Sequence, residues 1–307
     1  MGRRACNAKA VAPWVPVQPL GLVYKTTSRE NGKRVIPVKR GKLNAYNVKI
    51  IETPYTKEVW IYDSPILYQT KKEKALEPNT ARKNYDELSA MKQYDSLKRK
   101  QLHYKQMRWT ISRLVDCNFD IKTKFMTLTF QDNISEITYT NMEFSKFIKR
   151  LTYHIYNQKR QILKYIATWE KQKRGAIHYH IIFFDFPYIQ KKQLEDIWGH
   201  GFVHINQIDV DSRENRGRYV SKYFMKDLEL KEHKQKAFFK SQNLKHPTEQ
   251  RLALDDASIA ALTEHETVVF SKEYDRTTYI SEMFRTDDNE PGSAFHDTPV
   301  RYLKIKK

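Results

Sequence analysis

The chain has 307 residues, 55 Lys+Arg against 36 Asp+Glu and a formal net charge of +19, with a pI near 9.6. That length can bury a sizeable core in one large or two smaller domains, and that charge makes a polyanion the expected partner. Two cysteines, Cys6 and Cys117, are too few for a disulfide framework or a cysteine zinc site. No apolar run approaches the roughly 18 residues of a membrane helix, and Pro13, Pro16 and Pro19 break up the stretch where a signal peptide needs an apolar core. The expectation is a soluble cytoplasmic protein with no membrane partner. The charge is uneven: residues 241–307 hold 9 Lys+Arg against 12 Asp+Glu, so the whole basic excess lies upstream. Aromatics make up 13% of the chain, with 19 Tyr, and rings interleaved with cations suit stacking on unpaired bases.

Residues 1–115 read as a basic N-terminal region of unassigned role. Short β-prone runs such as Val35–Val38 and Val59–Tyr62 come first. Lys33, Arg34, Lys39, Arg40 and Lys42 are either a phosphate-contacting loop or a solvated surface. From Lys71 to about Leu114 the composition turns helical and charged, with Tyr85, Leu88, Met91, Tyr94 and Leu97 at helical spacing.

Phe125–Phe130 alternates strictly and predicts a strand. Met142, Phe144, Phe147, Ile148, Leu151 and Ile155 predict an amphipathic helix from near Thr140 to Gln161, capped by Thr140 or Asn141. Two strands follow, Tyr165–Glu170 and Ile177–Phe184, then a short helix from Lys191 to Trp198 and a strand over 201–208. The order β-α-β-β-α-β implies an α+β fold: a central antiparallel sheet with helices on one face, of the split βαβ type, over residues 116–240, with N- and C-terminal extensions. Residues 241–307 read as a helical and irregular extension, with a helix from Glu249 to Glu264.

Within the hairpin, period two sends His178 and His180 to one face and Ile177, Tyr179 and Ile181 to the other. Lys173-Arg174-Gly175 suits a three-residue loop with Gly in the left-handed position. That turn pairs Gln172 with Ala176 and sets Glu170 opposite His178, so a carboxylate joins two imidazoles. Such a set could ligate a divalent ion, and by ligand type alone zinc would also suit. Downstream, residues 215–228 read as a helix on which Tyr219, Lys222, Tyr223 and Lys226 fall at i, i+3, i+4 and i+7, on one face. Phenols flanked by ammonium groups are potential nucleophiles. Breaking a phosphodiester without losing its bond energy needs a nucleophile that stays on the phosphate, which tyrosine can do.

His178-Tyr179-His180 resembles the His-hydrophobic-His motif of HUH endonucleases. Tyr219 to Lys226 resembles the doubled Tyr-x-x-Lys motif of rolling-circle replication initiators (Rep), and Phe125–Phe130 looks like their first motif. Tyrosines placed after the histidine pair fit the Rep branch rather than relaxases, and the doubled tyrosine is most similar to the initiators of small single-stranded DNA phages, the microviruses. The resemblance spans about residues 120–230. It implies Mg²⁺ or Mn²⁺ held by His178, His180 and Glu170, and nucleophilic Tyr219 and Tyr223 assisted by Lys222 and Lys226. If one tyrosine works alone, Tyr219 is favoured. Thr127, Thr129, Lys173, Arg174, Arg216 and Arg218 are the candidate DNA contacts. The implied activity is site-specific nicking and rejoining of one strand through a 5′-phosphotyrosyl bond, leaving a 3′-OH primer. The implied partners are single-stranded or supercoiled origin DNA and the host helicase and DNA polymerase, in the host cytoplasm if the gene is a phage's. No Gly-x-x-x-x-Gly-Lys-[Ser/Thr] phosphate loop occurs. An HUH transposase and a non-catalytic DNA-binding protein of the same fold are the alternatives.

Overall fold

The computed structural model describes residues 44–68, 86, 89–208, 238–279 and 295–307, apart from the side chains of Met91 and His296. Two five-stranded antiparallel sheets organise them. The central sheet is built from β3 (Lys124–Thr129), β4 (Lys164–Lys171), β5 (Ile177–Phe184), β6 (Val203–Gln207) and β7 (Phe239–Lys240), in the order β6-β3-β5-β4-β7. Its crossovers are α2 (Ile137–Tyr156) and α3 (Lys191–Trp198). The α+β architecture expected from the sequence is therefore present, with strands and helices in the expected order.

Helix α2 begins earlier than its pattern suggested. Glu136, rather than Thr140 or Asn141, caps it, its carboxylate accepting from the Tyr139 amide. It ends on Asn157 in the left-handed region (φ 51°), before Gln161. Its buried stripe Phe144, Phe147, Ile148 and Leu151 meets Met126, Leu128, Tyr179, Ile181 and Phe183 in one core. Phe144 stacks on Tyr179 with centroids 4.6 Å apart and planes 4° from parallel. The Tyr179 hydroxyl, fully buried, donates to Asn141 at 2.7 Å, so a polar tip is satisfied inside an apolar layer.

The opposite face of this sheet is divided. At one end Ile166, Ile182 and Phe184 pack under Ile111, Leu114 and Val115, at i, i+3 and i+4 on α1 (Ala90–Asn118). The other end of that face is polar. The N-terminal stripe of α1 does not build core: Tyr94 is 60% and Leu97 52% exposed.

A second sheet unites the two flanks of the chain. It contains β1 (Asn44–Glu52), β2 (Thr56–Tyr68), β8 (Thr248–Leu252), β9 (Val268–Tyr279) and β10 (Phe295–Lys306), in the order β8-β1-β2-β10-β9. The segment 241–307, expected to be helical and irregular, thus supplies three long-range strands. Only α4 (Asp256–Thr263), capped by Asp255, remains of the helix expected over Glu249–Glu264. The β-branched alternation was weak there because β8 is mostly exposed on both faces. Helix α1 joins the sheets. Arg113 reaches Glu58 on β2 through two hydrogen bonds, at 2.9 and 2.7 Å, while its guanidinium lies 5.0 Å from the Trp60 ring centroid.

Candidate active site

The hairpin has the expected geometry. The Gln172 amide donates to the Ala176 carbonyl at 2.9 Å, the Gly175 amide to the Gln172 carbonyl at 2.8 Å, and Gly175 sits at φ +95°. Glu170 stands opposite His178, and His178 opposite Thr129. One step along, Thr168, His180, Thr127 and His204 form a second row. Residues directly opposite share a face, so both rows lie on the polar end of the face that α1 covers elsewhere.

The rows are cross-linked through His180. Its Nε2 lies 3.1 Å from Glu170 Oε1, its Nδ1 lies 3.1 Å from Thr127 Oγ1, and its ring stacks on Phe125 at 5.6 Å. An imidazole held at both nitrogens and one face has little rotational freedom. His178 is 7% exposed, and its Nε2 is buried without a hydrogen-bond partner. Burial, then the neighbouring His180, pushes its pKa below the ordinary histidine value, which favours the neutral, lone-pair-bearing ring.

The backbone of β3 is fixed at the same end. Thr129 exchanges two hydrogen bonds with Phe202, and its carbonyl also accepts from the Trp198 indole at 3.1 Å. Gly201 makes this possible: a Cβ there would stand 2.6 Å from the Thr129 carbonyl oxygen and the Gln131 amide. Beside it, His200 Nε2 contacts buried Glu143 at 2.8 Å, and Lys146 contacts the same carboxylate at 2.7 Å.

The sequence-predicted residues divide into three groups. Glu170, His178, His180, Thr127 and Thr129 share one face of three adjacent strands. Lys173 and Arg174 sit on the hairpin loop, where Arg174 bonds Gln172 at 3.0 Å and the Phe130 carbonyl at 3.3 Å, tying the loop to β3. Tyr219, Lys222, Tyr223, Lys226, Arg216 and Arg218 lie outside the described residues. Two features escaped sequence reading. Thr127 serves as a partner of His180, which only the cross-strand register could reveal. Phe125, read as a plain strand residue, forms the floor under that ring.

For a divalent ion the donor types fit: two imidazoles, one with an orphaned buried nitrogen, and a carboxylate. Among the described residues, however, no three His, Cys, Asp or Glu side chains converge on one point, and Glu170 is bonded directly to His180.

Fold and site together define an α+β domain whose antiparallel sheet presents two strand-borne histidines and a glutamate on a polar patch. Residues 123–228, from β3 through the Tyr/Lys segment, match the replication-associated protein ORF2/G2P family. The chain is also similar to the Phasyl DNA replicon protein arp of Escherichia coli, 26% identical over 148 residues, which are 40% of this chain and 50% of that protein. The chain thus matches about half the length of that relative. No solved structure gives a significant match. Both likenesses are to proteins named for replication or a replicon.

Proposed function

We propose that the protein initiates rolling-circle DNA replication as an HUH-type endonuclease that nicks and rejoins one strand at an origin. The observation that carries this reading is the register that sets Glu170, His178 and His180 on one polar face, within the segment matched by the replication-associated family. His178, His180 and Glu170 would hold Mg²⁺ or Mn²⁺, which when bound supplies positive charge for the oxygens of the scissile phosphate.

The chain's own residues do the rest. The phenol oxygen of Tyr219 attacks phosphorus, a tyrosyl O–P bond forms, and the P–O3′ bond breaks. The phenolic proton is given up and the departing 3′ oxygen gains one, leaving a 5′-phosphotyrosyl end and a free 3′-OH. Rejoining is the reverse attack by a 3′-OH, and Tyr223 offers a second nucleophile for the next strand. Lys222 and Lys226 favour the phenolate. Thr127 orients His180, and Thr129, Lys173, Arg174, Arg216 and Arg218 line the path of the DNA strand. Host helicase and polymerase complete replication from the 3′-OH in the cytoplasm, the host's if the gene is a phage's.

The test is a single-stranded origin oligonucleotide with Mn²⁺ and a denaturing gel. A slow-migrating covalent adduct is expected, abolished by Tyr219→Phe with Tyr223→Phe and by His178→Ala. An adduct that persists in the double tyrosine variant, or salt-dependent binding with no cleavage under any divalent ion, overturns the reading.

A further inference from the structure

The second sheet takes no part in the chemistry above, yet it carries a cleft of its own. Between helix α1 and the end of β9 lies a cleft of about 220 Å³ lined by Arg99, His103, Gln106, Arg276, Thr277 and Thr278, among others. Every one of these six offers a hydrogen-bond donor, and none is acidic. Arg99 is exposed, stacks 4.7 Å above the Tyr279 ring and donates to the Asp95 carbonyl four residues back, at 3.4 Å. Arg276 donates to the Tyr62 hydroxyl. Among the described residues neither guanidinium has a carboxylate partner. Thr278 Oγ1 is buried there without a hydrogen-bond partner. Stacking on Tyr279 and bonding to Tyr62 hold both guanidinium groups in place, which lowers the ordering cost of binding.

From this we infer that the α1/β9 cleft is a phosphate subsite for the DNA backbone, with Arg99 and Arg276 as its charged donors and Thr278 as a neutral one. The chemistry selects an anion with several acceptor oxygens. A DNA strand rather than a small phosphate fits because α1, which lines the cleft, also carries Lys92, Lys98, Lys100, Lys105 and Arg108, five further cations between residues 92 and 108. The subsite rests on DNA being the partner, but not on the nicking chemistry.

Binding of labelled single-stranded and duplex oligonucleotides is to be measured in EDTA across a salt series, so that loss of cleavage cannot be mistaken for loss of binding. Each lost phosphate contact should reduce the slope of log K against log[salt] by about one and weaken binding roughly fivefold at 0.15 M salt. Arg99→Gln and Arg276→Gln should each do this, and Arg99→Lys should restore much of the slope. Because Arg276 also holds Tyr62, exposed Arg99 is the decisive position. Lys192→Gln, on α3, controls for lower net charge and should change neither quantity by as much. Equal effects of Arg99→Gln and Lys192→Gln overturn the subsite. So does a calorimetric titration in which Arg99→Gln abolishes inorganic phosphate binding while oligonucleotide affinity stays unchanged.

Discussion

Thr127→Val removes one hydroxyl from β3 and leaves the side chain's volume nearly unchanged. The hydroxyl lies 3.1 Å from His180 Nδ1, and Glu170 occupies the ring's other nitrogen at the same distance. With Nε2 facing a carboxylate, a neutral His180 carries its proton on Nε2, and the threonine donates to Nδ1. An Nε2 lone pair turned to a cation needs the other tautomer, with Nδ1–H donating to the threonine oxygen. A hydroxyl can play both parts by rotating about its C–O bond, and valine can play neither. Losing this half-buried hydrogen bond should cost about 1 kcal/mol of stability, read as a shifted urea midpoint with unchanged slope. If His180 ligates a metal as proposed, the functional cost should be larger, because partners of ligating histidines typically change metal affinity or activity about 10–100-fold. Titrating Mn²⁺ against nicking of an oligonucleotide should therefore show Thr127→Val needing about 10–100 times more metal, with Thr127→Ser close to the parent. A valine variant with the parent's Mn²⁺ dependence would refute the argument that this hydroxyl orients the imidazole.

Three further outcomes test the scaffold. Glu58→Ala or Arg113→Ala strands one member of an ion pair whose side chains are 5% and 11% exposed, and should cost about 3–5 kcal/mol in urea unfolding; Glu58→Leu with Arg113→Met should recover most of it. Gly201→Ala forces a Cβ to 2.6 Å from the Thr129 carbonyl oxygen and the Gln131 amide at φ +142°, which should destabilise by about 1–3 kcal/mol and weaken the proposed nicking through the displaced end of β3. The Lys146 hydrogen bond, then that of His200, holds Glu143 below the usual carboxylate value of 4.5. A depressed carboxylate contributes stability that is full above the unfolded-state pKa and lost as pH falls through the folded one. The stability gap between parent and Glu143→Gln should accordingly be greatest near neutral pH and shrink below about pH 4.5; a gap independent of pH would contradict it.

The central sheet was legible because each of its signals is local. A Gly-containing loop fixes the register of β4 on β5, and that register alone sets Glu170 against His178. Alternation along β3 and β5 and the 3.6-residue stripe of α2 then select the faces. The second sheet was not legible, because β1 meets β8 across about 200 residues and no local pattern encodes that pairing. The α2 cap was misread for a related reason: Thr140 and Asn141 are good capping residues, but they face Tyr179 and are used there instead. The roles of Thr127 and Phe125 depend on which strand lies beside β3, which is likewise settled only in three dimensions.

That long-range pairing bears on how the protein is made. Strands β1 and β2 leave the ribosome long before β8, β9 and β10, the strands that cover Val48, Ile50, Val59 and Trp60. The central sheet's own strands lie between and can assemble in sequence as they emerge. During synthesis the early hairpin must wait with its apolar faces uncovered, an interval in which high contact order makes it prone to aggregate. Once β10 docks between β2 and β9, the finished central sheet becomes a loop whose two ends are clamped together. A pulse-labelling experiment should find central-sheet amides protected from exchange before those of β1 and β2.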